Sequence, residues 1–217
     1  TPTAPASLQQ THRHSSYPES WLPTDSELNT KCNCSASGAL VTVLAYAGSF
    51  AAYTYIEPLL IERASISIGA VSGFMLGYGV AAAVGNVAGG RMTDGLGIAK
   101  ANMLITSGIS VVVLGIFWFC DSPTLMFGLV AALGFLSYAA VPALQARLLN
   151  LAERFVPHAH GVAAGLNIAG FNSGIALGSV IGGVTIRWFG ISYVGLVAFV
   201  ISGFAFLFLA FQERGKL

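Results

Sequence analysis

Six apolar stretches, each near the ~20 residues that a helix needs to cross a bilayer, constrain this chain more than any other feature. They run Gly38–Leu60, Ile68–Gly89, Ala101–Phe119, Pro123–Gln145, Gly161–Ile186 and Ile191–Phe211. Hydrocarbon offers no water to satisfy backbone polar groups, so runs of this length in lipid are helices. Composition agrees. Only 9% of the residues are charged and mean hydropathy is +0.74, whereas a soluble domain carries roughly a quarter charged residues. The chain therefore reads as an all-α integral membrane protein whose first partner is the lipid bilayer. A net charge of +1 gives no argument for a polyanion-binding surface, and no nucleic-acid partner is expected.

Residues 1–35 differ from the rest. Their Ser, Thr, Pro and Gln content cannot bury enough apolar surface to fold, so they read as a disordered cytoplasmic tail or linker, with residues 36–217 as one six-span domain. His12, His14, Cys32 and Cys34 have residue types suited to zinc. The gap between the pairs lacks any order signal, so no metal site is expected. The only other cysteine is Cys120, and an odd count without framework spacing gives no disulfide scaffold. No initiating Met and no apolar signal run precede the first span, which reads as a trimmed chain or one that begins within a longer protein.

Lysine and arginine set the orientation. A cytoplasmic N-terminus places Arg13, Lys31, Arg91, Lys100, Arg147, Arg154, Arg214 and Lys216 inside, leaving only Arg63 and Arg187 outside. Both termini are then cytoplasmic, in a plasma (bacterial inner) membrane.

An internal repeat organises the spans. GNVAGGRMTDGLG at Gly85–Gly97 is echoed by GSVIGGVTIRWFG at Gly178–Gly190, with five of thirteen positions matched at one constant offset. Three spans separate the copies, so they point in opposite directions. The expected fold is six transmembrane helices as two inverted three-helix repeats, an architecture common among transporters. Glycine is concentrated in the second and fifth spans. Gly85 and Gly89 in one, and Gly170, Gly174, Gly178 and Gly182 in the other, are spaced four apart, which puts each set on one helix face where another backbone can approach closely. The third and sixth spans, rich in Phe, Val and Leu, suit a lipid-facing role.

Candidate chemistry is sparse. Tyr46, Phe50, Tyr53 and Glu57 share one face of the first span, and Phe135, Tyr138, Pro142 and Gln145 share one face of the fourth. Such stripes fit the wall of a cavity for sugar-like or amphipathic solutes, and equally a seam between helices. Glu57 is the one carboxylate placed within a span, near its outer end. Asn167 and Asn172 flank the glycine face of the fifth span and are candidate lining groups; Asn86 is a third amide in a span. His158 and His160 read as neutral interfacial residues. Pro142 removes a backbone donor and is expected to kink or hinge its helix. Arg91 and Asp94 are close enough in a turn to pair, and Asp94 has the chemistry to cap a helix start. No enzyme is indicated. The Gly77-x-Gly79 pair follows no strand, and no histidine within a span activates Ser173.

FAAYTYIEPLL, GNVAGGRMTDGLG, GFLSYAAVPALQARLLNLA and GLNIAGFNSGIALGSVIGG together resemble the C-terminal half of a major facilitator superfamily transporter. Within it they are most similar to the twelve-span drug:proton antiporter group, in the manner of arabinose or sugar efflux and chloramphenicol-resistance proteins. The resemblance covers about Ala36 to the end. The family loop signature is carried by Gly90, Arg91, Asp94, Gly97 and Lys100, with Gly95 and Ala99 departing from it. The resemblance implies that the first and fourth spans line a central cavity, the second and fifth face the other half, and the third and sixth face lipid. It implies proton-coupled efflux of a small molecule by alternating access, no bound cofactor, and partnership with an N-terminal six-span half or a second copy. The alternative reading is a truncated six-span protein that does not transport and has a structural or partner-binding role.

Overall fold

The computed structural model describes the backbone of residues 25–155 and 160–214. Residues 1–24 and His158 lie outside the described residues, as do the side chains of Cys32, Cys34 and His160. The described chain is helical throughout: α1 (Asp25–Tyr53), α2 (Ile56–Glu62), α3 (Ile68–Leu96), α4 (Ile98–Trp118), α5 (Pro123–Phe155), α6 (His160–Phe189) and α7 (Val194–Arg214), with a single 3-10 turn at Ile191–Tyr193 before the last. Six spans are long and apolar enough to cross a membrane, the first formed by α1 and α2 together.

Several helices outrun the apolar stretches, because lipid selects the apolar core of a helix while backbone propensity decides where it stops. α3 continues through the polar segment after Gly89 to Leu96, so what reads as a turn is mostly helix. α5 likewise runs to Phe155 through LLNLAERF, a sequence of good helix formers. α1 begins at Asp25, so the final part of the expected disordered tail is helical. The first span, expected as one helix, breaks at Thr54–Tyr55. The cause is Pro58, which cannot donate to the Thr54 carbonyl four residues back. Pro142 stands inside α5, which runs through it unbroken.

The two repeat copies end alike. Gly97 closes α3 at φ 84° and Gly190 closes α6 at φ 93°, a conformation that side-chain-bearing residues rarely adopt. Each matched glycine thus stops one span and turns the chain into the next. The packing is exchanged between the repeats: α3 of the first lies on α5 of the second, α6 of the second lies on α1 of the first, and the closing helices α4 and α7 lie on each other. The inverted two-by-three architecture read from the sequence is the one observed.

Glycine sets the depth of these contacts. A Cβ at Gly85 would stand 2.1 Å from the Phe135 carbonyl oxygen, and one at Gly89 2.2 Å from that of Ala139. On the other side, a Cβ at Gly174 would meet the Val43 carbonyl at 2.6 Å and one at Gly178 the Ala47 carbonyl at 2.4 Å; Gly182 faces Ala51 and the Tyr55 ring. Gly170 is looser, with Thr42 at 3.5 Å. The glycine faces of α3 and α6 are therefore occupied inside this six-helix unit. Their opposite faces, with Leu76, Val80, Val84 and Val87 on α3 and Leu177, Val180 and Val184 on α6, remain exposed. α4 and α7 also expose a row each, including Leu104, Val111, Phe204 and Phe211.

Polar groups tie the ends of the bundle. Asn102 of α4 is buried and donates to the Ala143 carbonyl of α5 at 2.8 Å. At the same end Arg147 of α5, only 4% exposed, donates to the Gln212 side-chain oxygen and lies 3.6 Å from a Glu213 carboxylate oxygen. Gln212 in turn donates to the Ser37 carbonyl at 3.3 Å, joining α1, α5 and α7. The Arg63–Asp121 pair at the other end, 2.9 Å apart, is exposed and adds little.

Two sets of substitutions test this packing by thermal melting in detergent micelles. Gly178→Ala lowers stability by about 1–3 kcal/mol, since the extra carbon meets backbone that cannot move aside. Gly79→Ala, with nothing within 4 Å, leaves it unchanged or raises it by about 0.5 kcal/mol. Arg147→Leu costs about 3 kcal/mol, the low end for halving a buried ion pair. Adding Glu213→Gln to it costs less than the two single losses combined.

Candidate functional site

The first span offers its aromatic stripe to rings of two other helices, α6 and α3, and the second of these passes the contact on to α5. Tyr46, Phe50 and Tyr53 recur along α1 on one face, with Phe50 5.4 Å from Tyr53 and 6.2 Å from Tyr46, ring centre to ring centre. Phe171 of α6 meets Tyr46 edge-on at 4.5 Å and Phe50 at 6.3 Å. At the other end Tyr78 of α3 stacks on Tyr53 at 4.3 Å and meets Tyr138 of α5 at 6.3 Å. Six rings from four helices thus form one continuous wall. Offset and edge-on geometries of this kind suit the quadrupoles of aromatic rings.

A cavity of about 230 Å³ opens beside the Phe171 end of the wall. It is lined by Tyr46, Val141, Gln145, Asn167, Phe171 and Asn172, with Ile168 at its edge. Four of the residues singled out from sequence, Tyr46, Gln145, Asn167 and Asn172, are therefore brought together from α1, α5 and α6. Phe50, Tyr53 and Tyr138 join them through the ring contacts rather than by lining the cavity.

The amides arrive partly committed, which defines what they can still bind. Thr42 donates its hydroxyl to the Asn167 oxygen at 3.4 Å, so the N–H groups of Asn167 are what it has left to offer. Asn172 donates to the Ile168 carbonyl at 2.8 Å, which leaves its oxygen as an acceptor. Gln145 is exposed and keeps both functions. The lining is thus apolar rings plus neutral donors and acceptors. No carboxylate, lysine, arginine or histidine lines this cavity among the described residues.

Glu57 does not join this site. It sits exposed on α2, beyond the break at Thr54–Tyr55, and does not line the cavity. A strict helical spacing from Tyr46 to Glu57 required a continuous helix, and Pro58 removes that continuity. The break itself is pinned to α6: the Tyr55 hydroxyl donates to the Ser179 carbonyl at 2.8 Å, and the Thr54 and Ser179 hydroxyls are 2.9 Å apart. Asn86 is exposed on α3 and lines none of this.

The loop-signature residues gather at the opposite end from Glu57. Arg91 and Asp94 are exposed on the last turns of α3, and among the described residues no ion pair joins them. Asp94 does not cap α4 either, whose N-cap is Gly97 without a side-chain hydrogen bond. Lys100 is exposed at the start of α4. Gly97 borders a second cavity, about 360 Å³, whose other walls include Thr93, Ile98, Asn150 and the buried Arg147.

Sequence reading missed Tyr78 and Phe171 as wall residues and Arg147 as a buried cation. Phe171 stands alone on its glycine-rich face, while Tyr78 follows Phe74 by four residues on α3, a two-residue stripe that could have marked it. Arg147 carried one signal, an arginine within reach of an apolar span end, but its partners lie on a helix far along the chain.

Comparison with known proteins agrees with the six-span fold. The family model described as Major Facilitator Superfamily matches residues 38–216. An uncharacterized MFS-type transporter, YtbD of Bacillus subtilis, is 42% identical over 147 residues, covering 67% of this chain and 36% of that protein. The inner membrane transport protein YdhP of Escherichia coli K12 is 30% identical over 184 residues, 82% of this chain and 45% of that protein. A probable sugar efflux transporter of Helicobacter pylori J99 is 28% identical over 176 residues, 79% of this chain and 43% of that protein. The chain spans less than half the length of these curated relatives. With six membrane-capable helices in inverted repeats and a family match across nearly all of them, this chain belongs to the major facilitator superfamily of transporters.

Proposed function

We propose that the chain is the C-terminal half of a secondary active transporter that exports an uncharged, hydroxylated, sugar-like small molecule by alternating access. One observation carries the reading: Tyr46, Gln145, Asn167 and Asn172 share a cavity beside an aromatic wall, and no charged group lines it. Ring faces accept the C–H face of a sugar, while amide donors and acceptors bind its hydroxyls without asking for a countercharge. An organic cation would need an acidic group that the described lining does not supply. The name of the Helicobacter relative, a probable sugar efflux transporter, points the same way.

In this reading the companion is a six-span half, seated against the exposed apolar faces of α3 and α6. Both termini and the loop-signature residues Gly90, Arg91, Asp94, Gly97 and Lys100 face the cytoplasm, on the lysine and arginine count. Arg91 and Asp94, unpaired with each other, are then placed to meet the companion half in one of its states. The driving force is the proton gradient, with no bound cofactor, and the titrating group belongs to the companion half.

The test is efflux of radiolabelled pentoses and hexoses from cells expressing the half together with its companion. Asn167→Ala and Gln145→Ala each lower the export rate about tenfold at equal membrane abundance, as expected for loss of one or two hydrogen bonds to substrate. Glu57→Gln leaves it unchanged. A protonophore abolishes export against a gradient. Unaltered export in both amide variants would remove the cavity from the mechanism, and export insensitive to the protonophore would remove the coupling.

A further inference from the structure

One polar atom in the aromatic wall has no use in the fold. Tyr78 is 5% exposed, and its hydroxyl has no hydrogen-bond partner even though Tyr53 and Tyr138 flank it. Burying a hydroxyl in this way is unfavourable relative to burying a plain benzene ring, and buried polar atoms in native proteins are seldom left so without a reason. The ring, by contrast, is fully employed. It stacks on Tyr53, and α5 makes room for it with Gly134, where a Cβ would stand 2.9 Å from Tyr78 Cδ2.

The chain contains its own control for this position. Tyr78 lies seven residues before Gly85, and Phe171 lies seven before Gly178, so the two are equivalent in the inverted repeat. They do equivalent work: each carries a ring from its glycine-rich helix onto the stripe of α1, Tyr78 against Tyr53 and Phe171 against Tyr46 and Phe50. At one of the two places a benzene ring suffices. What the other adds is the hydroxyl alone.

We infer that Tyr78 is a specificity-determining residue, whose hydroxyl is a hydrogen-bonding group held in reserve for a hydroxyl of the transported sugar. The inference rests on the sugar-like substrate class proposed above and extends its site from α1, α5 and α6 onto α3. The amides Asn167 and Asn172 serve the Phe171 end of the wall. Tyr78 stands at the other end, outside the cavity lining, and its enclosed hydroxyl meets the solute in a state of the transport cycle that opens the wall between Tyr53 and Tyr138. Protein packing alone leaves the phenol unsatisfied, and the solute completes it.

The experiment compares the protein expressed with its companion half against Tyr78→Phe, using efflux of labelled L-arabinose, D-galactose and their monodeoxy analogues together with thermal melting. The parent protein exports one of the sugars about tenfold faster than one of its monodeoxy analogues. Tyr78→Phe loses that preference: export of the sugar falls about tenfold and export of the analogue stays where it was. Its melting temperature is unchanged or higher. Tyr78→Leu, which removes the ring as well, lowers the melting temperature and shows what a packing defect looks like. An unaltered sugar-to-analogue ratio in Tyr78→Phe overturns the assignment alone and leaves the substrate class standing. So does a fall of several degrees in its melting temperature, since the hydroxyl would then have a partner within the protein. If the parent exports none of these sugars, the substrate class fails and the assignment falls with it.

Discussion

Two backbone-to-backbone contacts hold this architecture: α3 seated on α5 through Gly85 and Gly89, and α6 seated on α1 through Gly174, Gly178 and Gly182. In a bilayer the lipid tails are as apolar as leucine, so burying apolar surface between helices gains little, and dense van der Waals contact must supply the attraction. Removing the Cβ is how two helices come close enough for that. Each glycine face meets a helix of the opposite repeat, so the two repeats are interlocked rather than set side by side. The close approach has a second consequence. It brings Tyr78 and Phe171, each seven residues before its matched glycine (Gly85 and Gly178), within reach of the α1 stripe, and so builds the aromatic wall.

Polar groups follow a division of labour that the bilayer imposes. The charged ones are at the ends, where Arg147 is enclosed by Gln212 and Glu213 and where Arg63 meets Asp121. A buried cation is tolerated only with partners, and Arg147 uses its partners to bind three helices together. The interior keeps neutral groups. Ser49, Thr93, Ser110, Thr185 and Ser202 return their hydroxyls to carbonyls four residues back on their own helices, so they ask nothing of a neighbour. Asn167, Asn172 and Gln145 keep a donor or an acceptor uncommitted, and they line one cavity. Tyr78 keeps its hydroxyl. Away from the wall, Ser137 Oγ and Arg147 Nε are the other buried polar atoms without a hydrogen-bond partner among the described residues.

Much of this was legible in the residues. The number of spans follows from hydropathy, since a helix must match the thickness it crosses. The inverted repeat follows from the matched glycines, and Gly97 and Gly190 turn out to be matched in conformation as well as in position. The stripe of Tyr46, Phe50 and Tyr53 follows from helical spacing. Helix ends were harder to read. α3 and α5 run on past the apolar stretches because nothing in RMTDGL or LLNLAERF stops a helix, and hydropathy registers only the apolar part. Glu57 was misplaced for a related reason: its spacing fits a continuous helix, and Pro58 next to it ends that continuity. The glycine faces read as places where another helix backbone comes close, and α5 and α1 are the helices that fill them.

By itself the sequence determined an all-helical membrane protein of six spans in two inverted repeats, with glycine where helices touch and few charges to spare. Those properties depend on local composition and on periods of a few residues, which a chain displays directly. Only the tertiary structure decided which helix fills each glycine face, that Asn167 meets Thr42, that Arg147 is enclosed at the end of the bundle, and that Tyr78 stacks on Tyr53 with its hydroxyl unsatisfied. Those are pairings between segments far apart in the chain. No periodicity encodes them, because the partner of each residue is set by how the two repeats interlock.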